Sequence, residues 1–375
     1  MNRAGQYITA LGGNIGYKAY KPNPLPPFPE INMDLEMITL LSKAQNCLGR
    51  LDATAELVPD MNLFLSAYVR KEALLSSQIE GTQATLEDVL NPNVDIAVNL
   101  EVNDVVNYVN ALNYTIDKMK QLPICNRLLC ETHKVLMHGV RGQEKNPGEF
   151  RCSQNWIGSS NSNLKTARYV PPTVDDMKIA MSDLEKFINE CDMDILIKTA
   201  LVHYQFETIH PFLDGNGRVG RMLIVLMLIN NGILHSPVLY LSLYLKLNRV
   251  EYYDRLSEVR LKGNYEQWVK FFLRGVIEAC DDGIKTIENI NSIITLDEEK
   301  LGKKSEAVSK VFNYLKEHPI ISIGSTSATL NLSYNTVATV VDKMVKADIL
   351  HETTTKSRNR VFEYYKYINT LKAGT

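Results

Sequence analysis

The sequence has almost no excess of charge of either sign, because 41 Lys and Arg residues stand against 43 Asp and Glu residues for a formal net charge of −2 at pH 7. The chain as a whole therefore offers no general attraction to nucleic acids or to anionic membranes. It also lacks a long hydrophobic run, since MLIVLML at residues 222–228 is too short to span a bilayer. The six cysteines form no CxxC pair, which favours reduced thiols. These absences predict a cytoplasmic protein without membrane contact.

The 375 residues, 45% of them hydrophobic, exceed what one core usually organises, so we expect more than one structural unit. Residues 1–99 combine an extended segment, with five prolines in the eight residues 22–29, and helices with apolar residues three or four apart. Residues 100–296 continue the helical pattern. At about 150–172 a Ser/Asn-rich centre, flanked by β-branched and aromatic residues, predicts a small β-hairpin. The predicted fold class is therefore mainly α.

Residues 305–375 predict a small C-terminal domain that follows a charged linker at 297–304. Three helical segments and a final alternating stretch are the pattern of a winged helix domain. Nine Lys and Arg residues against six Asp and Glu residues are a small excess for a DNA-binding domain. DNA binding, target docking and regulation therefore all stay open for it. The expected hairpin carries a basic tip made of Lys356, Arg358 and Arg360.

The stretch HPFLDGNGRVGR at 210–221 crowds glycines, arginines, an acid, an amide and a histidine between two helical segments. Gly215 and Gly217 then lie at the start of a helix, where free N–H groups and the helix dipole attract anions. Glycines at this place also let a ligand approach the backbone. Arg218 and Arg221 are three residues apart, so both guanidinium groups can reach phosphate oxygens. The stretch predicts a phosphate-binding site.

Three polar residues of this stretch have chemistry of their own. Asp214 is a hard oxygen ligand suited to Mg²⁺ that bridges phosphates. Asn216 can donate to a phosphate oxygen through its amide, and His210 can take a proton from an incoming hydroxyl. A single histidine or a single GNG turn is usually structural, but so many such residues within one short stretch favour a functional site. The stretch lacks GxxxxGK[ST], and GNGRVG does not follow a strand, which disfavours a kinase or a dehydrogenase.

The same stretch resembles the signature of the Fic family of protein adenylyltransferases, HPFx[D/E]GNGRxxR, and matches it at every fixed position. The preceding HYQFETI is similar to the family's approach to the motif, and NWIGSSNSNLKTARYVPP is similar to its hairpin flap. The resemblance implies a Fic-type helical core that transfers AMP from ATP to a Ser, Thr or Tyr hydroxyl of a target protein, with release of pyrophosphate. It implies ATP and Mg²⁺ as the ligands.

The resemblance also implies roles for single residues. His210 would be the general base, and Asp214 would be the Mg²⁺ ligand. Arg218 would hold the bridging phosphates and Arg221 the γ phosphate, with Asn216 and Arg218 counted among the catalytic residues. The nucleotide would contact Gly215, Asn216, Gly217, Arg218, Gly220 and Arg221.

A second stretch, SSQIEGT at 76–82, ends a helix expected at about 62–81. Ser76 and Glu80 are four residues apart and share a face, and Gly81 suits a left-handed C-cap. By itself this is a solvated helix end. It resembles the family's inhibitory motif [S/T]xxxE[G/N], which implies that Glu80 pairs with Arg221 and displaces the γ phosphate. We therefore expect an enzyme that is largely inactive as isolated.

Weaker features concern the partners. Tyr253 can pack against adenine, although helical aromatics are more often core residues. The flap from Ile157 to Tyr169 can bind a target segment by strand addition. Self-modification and a homodimer stay open.

Two alternative functions also stay open. One is a nucleotide-sensing DNA-binding regulator, which the intact His210 disfavours. The other is removal of AMP, or transfer of another phosphate-containing group, with Glu80 orienting a water.

Overall fold

The computed structural model describes residues 2–11, 16–56, 61–91, 99–140, 142, 144–159, 161–302, 304–354 and 360–373, and for 61–66 it describes the backbone alone. Helices dominate these residues, which confirms the mainly α prediction. No helix in this part of the chain is long and apolar enough to cross a bilayer.

The N-terminal part begins with a hairpin that the sequence pattern does not predict. Strands β1 (Gly5–Ala10) and β2 (Tyr17–Pro22) pair antiparallel, with Gly5 opposite Pro22. Burial does not alternate along β2, since the neighbours Ala19 and Tyr20 are both buried, and alternation is the pattern by which a strand is predicted. Pro22 is the last residue of β2, and residues 23–34 after it lie outside any helix or strand. Three helices follow, α1 (Leu35–Glu56), α2 (Met61–Ile79) and α3 (Leu86–Leu90).

The central part is a helical core built around two buried helices. Its helices are α4 (Leu100–Lys118), α5 (Asn126–Leu136), α6 (Val174–Glu190), α7 (Ile195–Ile209), α8 (Asn216–Asn230), α9 (Ser242–Leu247), α10 (Arg249–Lys262) and α11 (Tyr265–Leu301). Every residue of α7 from Leu196 onward and every residue of α8 up to Leu228 is buried. The motif at 210–221 joins these two helices, so the core fixes its position from both sides.

The predicted flap hairpin is much less regular than expected. Its described residues form a single antiparallel bridge, in which Ile157 and Tyr169 exchange N–H···O bonds of 2.8 and 3.0 Å. Between them the Asn163 carboxamide oxygen accepts from the backbone N–H groups of Lys165 and Thr166. Side chains that bond to nearby backbone in this way compete with a strand ladder. The flap is therefore a loop closed by one bridge.

The C-terminal part contains the helices and hairpin strands that were expected, together with a further strand and helix. Ser333 accepts from Thr336 N at the start of α14, as predicted for a cap. The antiparallel sheet has the order β3-β5-β4. Lys356 and Arg358 of the expected basic tip lie outside the described residues, whereas Arg360 pairs with Glu352. The elements are α12 (Glu306–Glu317), β3 (Ile320–Ser322), α13 (Ile323–Leu330), α14 (Tyr334–Lys346), β4 (His351–Glu352), β5 (Val361–Glu363) and α15 (Tyr365–Lys372).

The linker expected at 297–304 is mostly helix, which corrects that prediction. Helix α11 continues to Leu301, and Gly302 follows it with a φ of 60°. Asp297 and Leu301 are buried, and Lys343 of α14 donates to the Leu301 carbonyl at 3.1 Å. Charged residues with high helix propensity therefore continue the helix into the C-terminal domain, because that domain covers its last turn.

Candidate active site

His210 ends α7 in an unusual backbone conformation. Its φ of 50° and ψ of 62° are left-handed, a region that non-glycine residues enter only when their surroundings enforce it. Burial lowers the pKa of His210 to about 4, so its imidazole is neutral at pH 7. The Glu80 carboxylate and a hydrogen bond with the Glu207 backbone act in the opposite direction, but burial dominates. The site therefore holds a neutral imidazole.

Asn216 shapes the loop that follows. Its Oδ1 accepts from Phe212 N and its Nδ2 donates to Phe212 O, both at 2.8 Å. The residue is only 2% exposed. The sequence predicted that this amide would donate to a phosphate. In the structure both ends of the amide bind the backbone of Phe212, whose carbonyl also accepts from Asn155 Nδ2 at 3.0 Å.

His133 of α5 is a site residue that the motif does not reveal. Its ring stacks on Phe212 with centroids 3.8 Å apart. Gly148 N donates to its Nδ1 at 2.9 Å, which leaves the Nε2–H to donate to Asp214 O at 3.0 Å. Burial lowers its pKa to about 4. The ring is thus a neutral brace for the loop.

The glycines of the motif differ in what surrounds them. Gly215 has a φ of 73°, and a Cβ there would lie 2.9 Å from Met137 Sδ. A Cβ on Gly217 would clash with Glu80 Oε1, so that carboxylate lies directly against the start of α8. Gly220 instead faces α7, where a Cβ would lie 2.5 Å from Glu207 Oε1. Gly220 therefore permits close packing of α8 against α7, and its nucleotide contact stays a prediction.

Asp214 lies at the beginning of the same helix start. Its Oδ2 accepts from Lys145 Nζ at 2.9 Å, and its Oδ1 accepts from Gly215 N at 2.7 Å. Burial raises the pKa of Asp214, but these donors together lower it by more, so the net pKa is below its ordinary value. The side chain is 35% exposed. An ionised, accessible oxygen ligand is therefore present, as the predicted metal role requires.

The three-residue group that could hold a metal by itself lies elsewhere among the described residues, at Asp52, Glu56 and His235. Asp214 belongs to no such group. A cation at Asp214 would therefore take further oxygen ligands from a bound phosphate or from water, which is how proteins commonly bind Mg²⁺.

The two arginines of the motif have different carboxylate partners. Arg218 Nη1 donates to Asp104 Oδ1 at 3.0 Å, and Arg218 Nη2 contacts Met137 Sδ at 3.3 Å. Asp104 belongs to α4 and was not predicted. The guanidinium group of Arg218 is thus already paired inside the core, whereas the sequence predicted phosphate contacts for it.

Arg221 contacts the end of α2, as predicted. Its Nε donates to Ser76 Oγ at 2.8 Å, and its Nη2 donates to Ser76 O at 2.9 Å and to Glu80 Oε1 at 2.8 Å. Burial lowers the pKa of Arg221, but the surrounding groups, led by the Glu80 carboxylate, together raise it more, so the net pKa lies above its ordinary value. Gly81 follows with a φ of 107°, which fits the predicted helix end.

A cavity of about 900 Å³ opens beside these residues. Arg168 of the flap and Asp254 of α10 pair across its rim at 3.3 Å. The buried Glu207 also lines the cavity; burial raises its pKa to about 7, and its Oε1 has no partner among the described residues. Tyr253 is in the wall, where adenine was expected. Other lining residues are Tyr7, Glu80, Ile157, Tyr169, His210 and Gly217.

Sequence comparison identifies two family domains in this chain. Residues 38–117 match the Fic/DOC family N-terminal model, and residues 123–228 match the Fic/DOC family model. Among curated relatives, the protein adenylyltransferase Fic of Aedes aegypti is 35% identical over 127 residues, which are 33% of this chain and 22% of that protein. The Culex quinquefasciatus protein of the same name is 33% identical over 147 residues, which are 38% of this chain and 26% of the relative. The chain thus spans about a quarter of the length of these relatives.

Solved structures share the fold. A Fic family protein from Desulfovibrio desulfuricans superposes with a TM-score of 0.56 at 20% identity, over 89% of this chain and 97% of that one. A Fic domain containing signaling protein from Bacteroides thetaiotaomicron superposes with a TM-score of 0.52 at 16% identity, over 66% and 97% of the two chains. The chain therefore carries the N-terminal and core domains of the Fic/DOC family at residues 38–117 and 123–228.

Proposed function

We propose that this protein transfers AMP from ATP to a Ser, Thr or Tyr hydroxyl of a target protein, and that Glu80 holds it in an inhibited state. The observation that carries the proposal is the neutral imidazole of His210, which lines the cavity beside a helix start whose anion position is taken by a carboxylate of the same chain. The relatives named protein adenylyltransferase support this reaction class.

His210 acts as the general base. Its neutral ring takes the proton of the target hydroxyl while that oxygen forms a bond to the α phosphorus of ATP. The bond from the α phosphorus to the bridging oxygen breaks, and pyrophosphate leaves with the electron pair. Protein phosphoryl chemistry of this kind asks chiefly for positioning and charge stabilisation. The rigid loop around Asn216 and His133 supplies the positioning.

The start of α8 binds the phosphates. Its backbone N–H groups, the helix dipole and the absence of a Cβ at Gly217 form an anion site, and Arg221 adds a guanidinium group next to it. Asp214 is the residue that would hold Mg²⁺, which neutralises phosphate charge when bound. Arg218 contributes from inside the core, since Asp104 already fixes its guanidinium group. Tyr253 packs against the adenine in the cavity wall.

Glu80 inhibits by taking the place of a phosphate. Its carboxylate is the anion that lies over Gly217 and on Arg221. A γ phosphate that needs the same guanidinium group must then bind elsewhere, so the α phosphorus is out of line with the attacking hydroxyl. Glu80 itself is 42% exposed at the end of α2, so it can leave without opening the core.

The target protein binds along the flap. Trp156 and Ile157 are 44% and 37% exposed, and Ile157 lines the cavity that contains His210. An extended segment of a target that lies along Ile157 to Tyr169 would bring its hydroxyl to the imidazole.

The test uses ATP labelled at the α or the γ phosphate. Glu80→Gly protein should incorporate α label, and γ label should stay with pyrophosphate. His210→Ala on the Glu80→Gly background should lower incorporation by about two to four orders of magnitude, the usual effect of losing a general base. ATP affinity by titration calorimetry should stay the same. Incorporation of γ label would indicate a kinase, and undiminished transfer by His210→Ala would remove His210 as the base. ATP-dependent DNA binding without any transfer would favour the regulator.

A further inference from the structure

Arg151 is the most deeply placed charge near the site, and neither the sequence motif nor the proposed reaction assigns it a role. The residue is 2% exposed at the start of the flap. Burial lowers its pKa to about 10, so it is still a cation at neutral pH. None of the ion pairs between described residues includes it. Burying a cation without an acidic partner costs hydration free energy, and backbone carbonyls must compensate for that loss.

Those carbonyls belong to the motif and to both ends of the flap. Arg151 Nε donates to His210 O at 3.0 Å. Its Nη1 donates to Ser153 O at 3.3 Å and its Nη2 to Pro172 O at 2.5 Å, on the two sides of the flap. Its backbone N–H donates to Pro211 O at 2.9 Å. One planar guanidinium group therefore joins the His210 backbone to both flap ends.

The His210 carbonyl needs such a partner. It follows the end of α7, where carbonyls have no intrahelical donor and a cation is favourable. The left-handed φ of His210 is maintained only by its surroundings. Asn155 Nδ2 donates to the same carbonyl at 3.3 Å and to Phe212 O at 3.0 Å. Arg151 and Asn155 together fix the backbone that aims the imidazole.

We propose that Arg151 is a positioning residue that aligns His210 for proton transfer and makes the flap and the base move as one unit. This inference rests on the proposed AMP transfer. Arg151 does not line the cavity, so it has no part in holding ATP. Its loss should therefore lower kcat and leave the KM for ATP unchanged. A target segment that orders the flap would, through the same guanidinium group, also order His210.

Arg151→Lys on the Glu80→Gly background is the test. Lysine keeps the charge but carries its N–H donors on one nitrogen in place of the planar fork, so it cannot match three carbonyls that bind three different nitrogens of the guanidinium group. We expect kcat to fall about tenfold to a hundredfold, as for a small misplacement of a catalytic group, with the KM for ATP within about twofold of the parent. Arg127→Lys is the matched control, because Arg127 is exposed on α5, pairs with Glu131 at 2.8 Å and does not line the cavity; it should retain the kcat of the parent.

The outcomes separate the two proposals. A Glu80→Gly parent without AMP transfer refutes the proposed function. An active parent with an inactive His210→Ala variant, but with Arg151→Lys at the parental kcat, refutes the positioning role alone. Equal losses in kcat and in ATP binding also refute it, since they indicate general damage. Where Arg151→Lys does not fold, Asn155→Ala removes the second donor to His210 O; a kcat within about twofold of the parent then contradicts the proposal.

Discussion

Arg218 and Arg221 occupy successive turns of the same buried helix, and each donates to one carboxylate at 2.8–3.0 Å. Their partners differ. Asp104 lies within α4 and its side chain is 15% exposed, whereas Glu80 lies beyond the last turn of α2 and is 42% exposed. One arginine is therefore fixed by the core and the other is held by a removable residue. Identical side chains three positions apart thus have a mostly buried and a half-exposed partner.

Ser76 is a second partner of Arg221. Its hydroxyl and carbonyl accept from Arg221 independently of Glu80. Under the proposed release of Glu80, Arg221 would therefore keep hydrogen-bond partners, and its guanidinium group would stay in place for a phosphate. Arg218 has no comparable second oxygen within 3.5 Å among the described residues, since its other contact is to Met137 Sδ.

The largest effect should come from removing the charge of the fixed partner. Asp104→Asn leaves a buried guanidinium group without its acid, which should lower the free energy of unfolding by about 3 kcal/mol. Glu80→Gln is the matched change at the half-exposed pair and should cost less than about 1 kcal/mol. Urea denaturation of both variants measures the difference. Equal losses of unfolding free energy would show that the two pairs stabilise the protein equally and would contradict the difference described above.

A second effect concerns Glu207, the other carboxyl in the cavity wall. Burial raises its pKa from an ordinary 4.5 to about 7, although Arg221 acts in the opposite direction. The folded state thus binds the proton more tightly, so this stabilisation is full below pH 4.5 and is lost as the pH rises through 7. Between pH 5 and 8 the wild type should lose about 2 kcal/mol more stability than Glu207→Gln. Parallel curves of unfolding free energy against pH would contradict this.

The smallest effect should come from Lys145 and Asp214, an exposed pair with 42% and 35% of the side chains accessible. Lys145→Ala should change the free energy of unfolding by less than about 1 kcal/mol, because solvent screens such pairs. The pKa of Asp214 should rise, since the ammonium group lowers it now. Carboxyl titration by NMR measures that shift. A loss of stability as large as that of Asp104→Asn would show that exposure does not separate fixed from removable pairs.

The sequence predicted the parts of the site that local pattern controls. The helix start at Asn216 and the Gly215 turn follow from residues close in sequence. The approach of Glu80 to Arg221, 141 residues away, was predicted from the resemblance to the inhibitory motif of the family. What it did not predict depends on distant contacts. Asp104 is 114 residues from Arg218, and His133 is 81 residues from Asp214. His133 had a weak signal, because it lies on the buried face of α5 between Leu129 and Leu136.

Other differences arose where tertiary packing overrode local composition. The charged residues at 297–301 extend α11 because the C-terminal domain buries Asp297 and Leu301. Gly220 looked like part of the phosphate loop, but its position on α8 faces Glu207 of α7. Asn216 looked like a phosphate donor, but it satisfies the backbone of Phe212. In each case the residue type indicated a structural or chemical role, but the partner of the residue could be identified only from the folded structure.

The central claim is that Glu80 inhibits through Arg221, and one set of rates tests it. Transfer of α label from ATP should be measured for the wild type, Glu80→Gly, Arg221→Lys and the double variant. Glu80→Gly should raise the rate about a hundredfold, because alignment of the α phosphorus is restored. The double variant should lose most of that gain, since lysine cannot replace the guanidinium fork. A Glu80→Gly rate no higher than wild type, or a gain that survives in the double variant, would contradict the account.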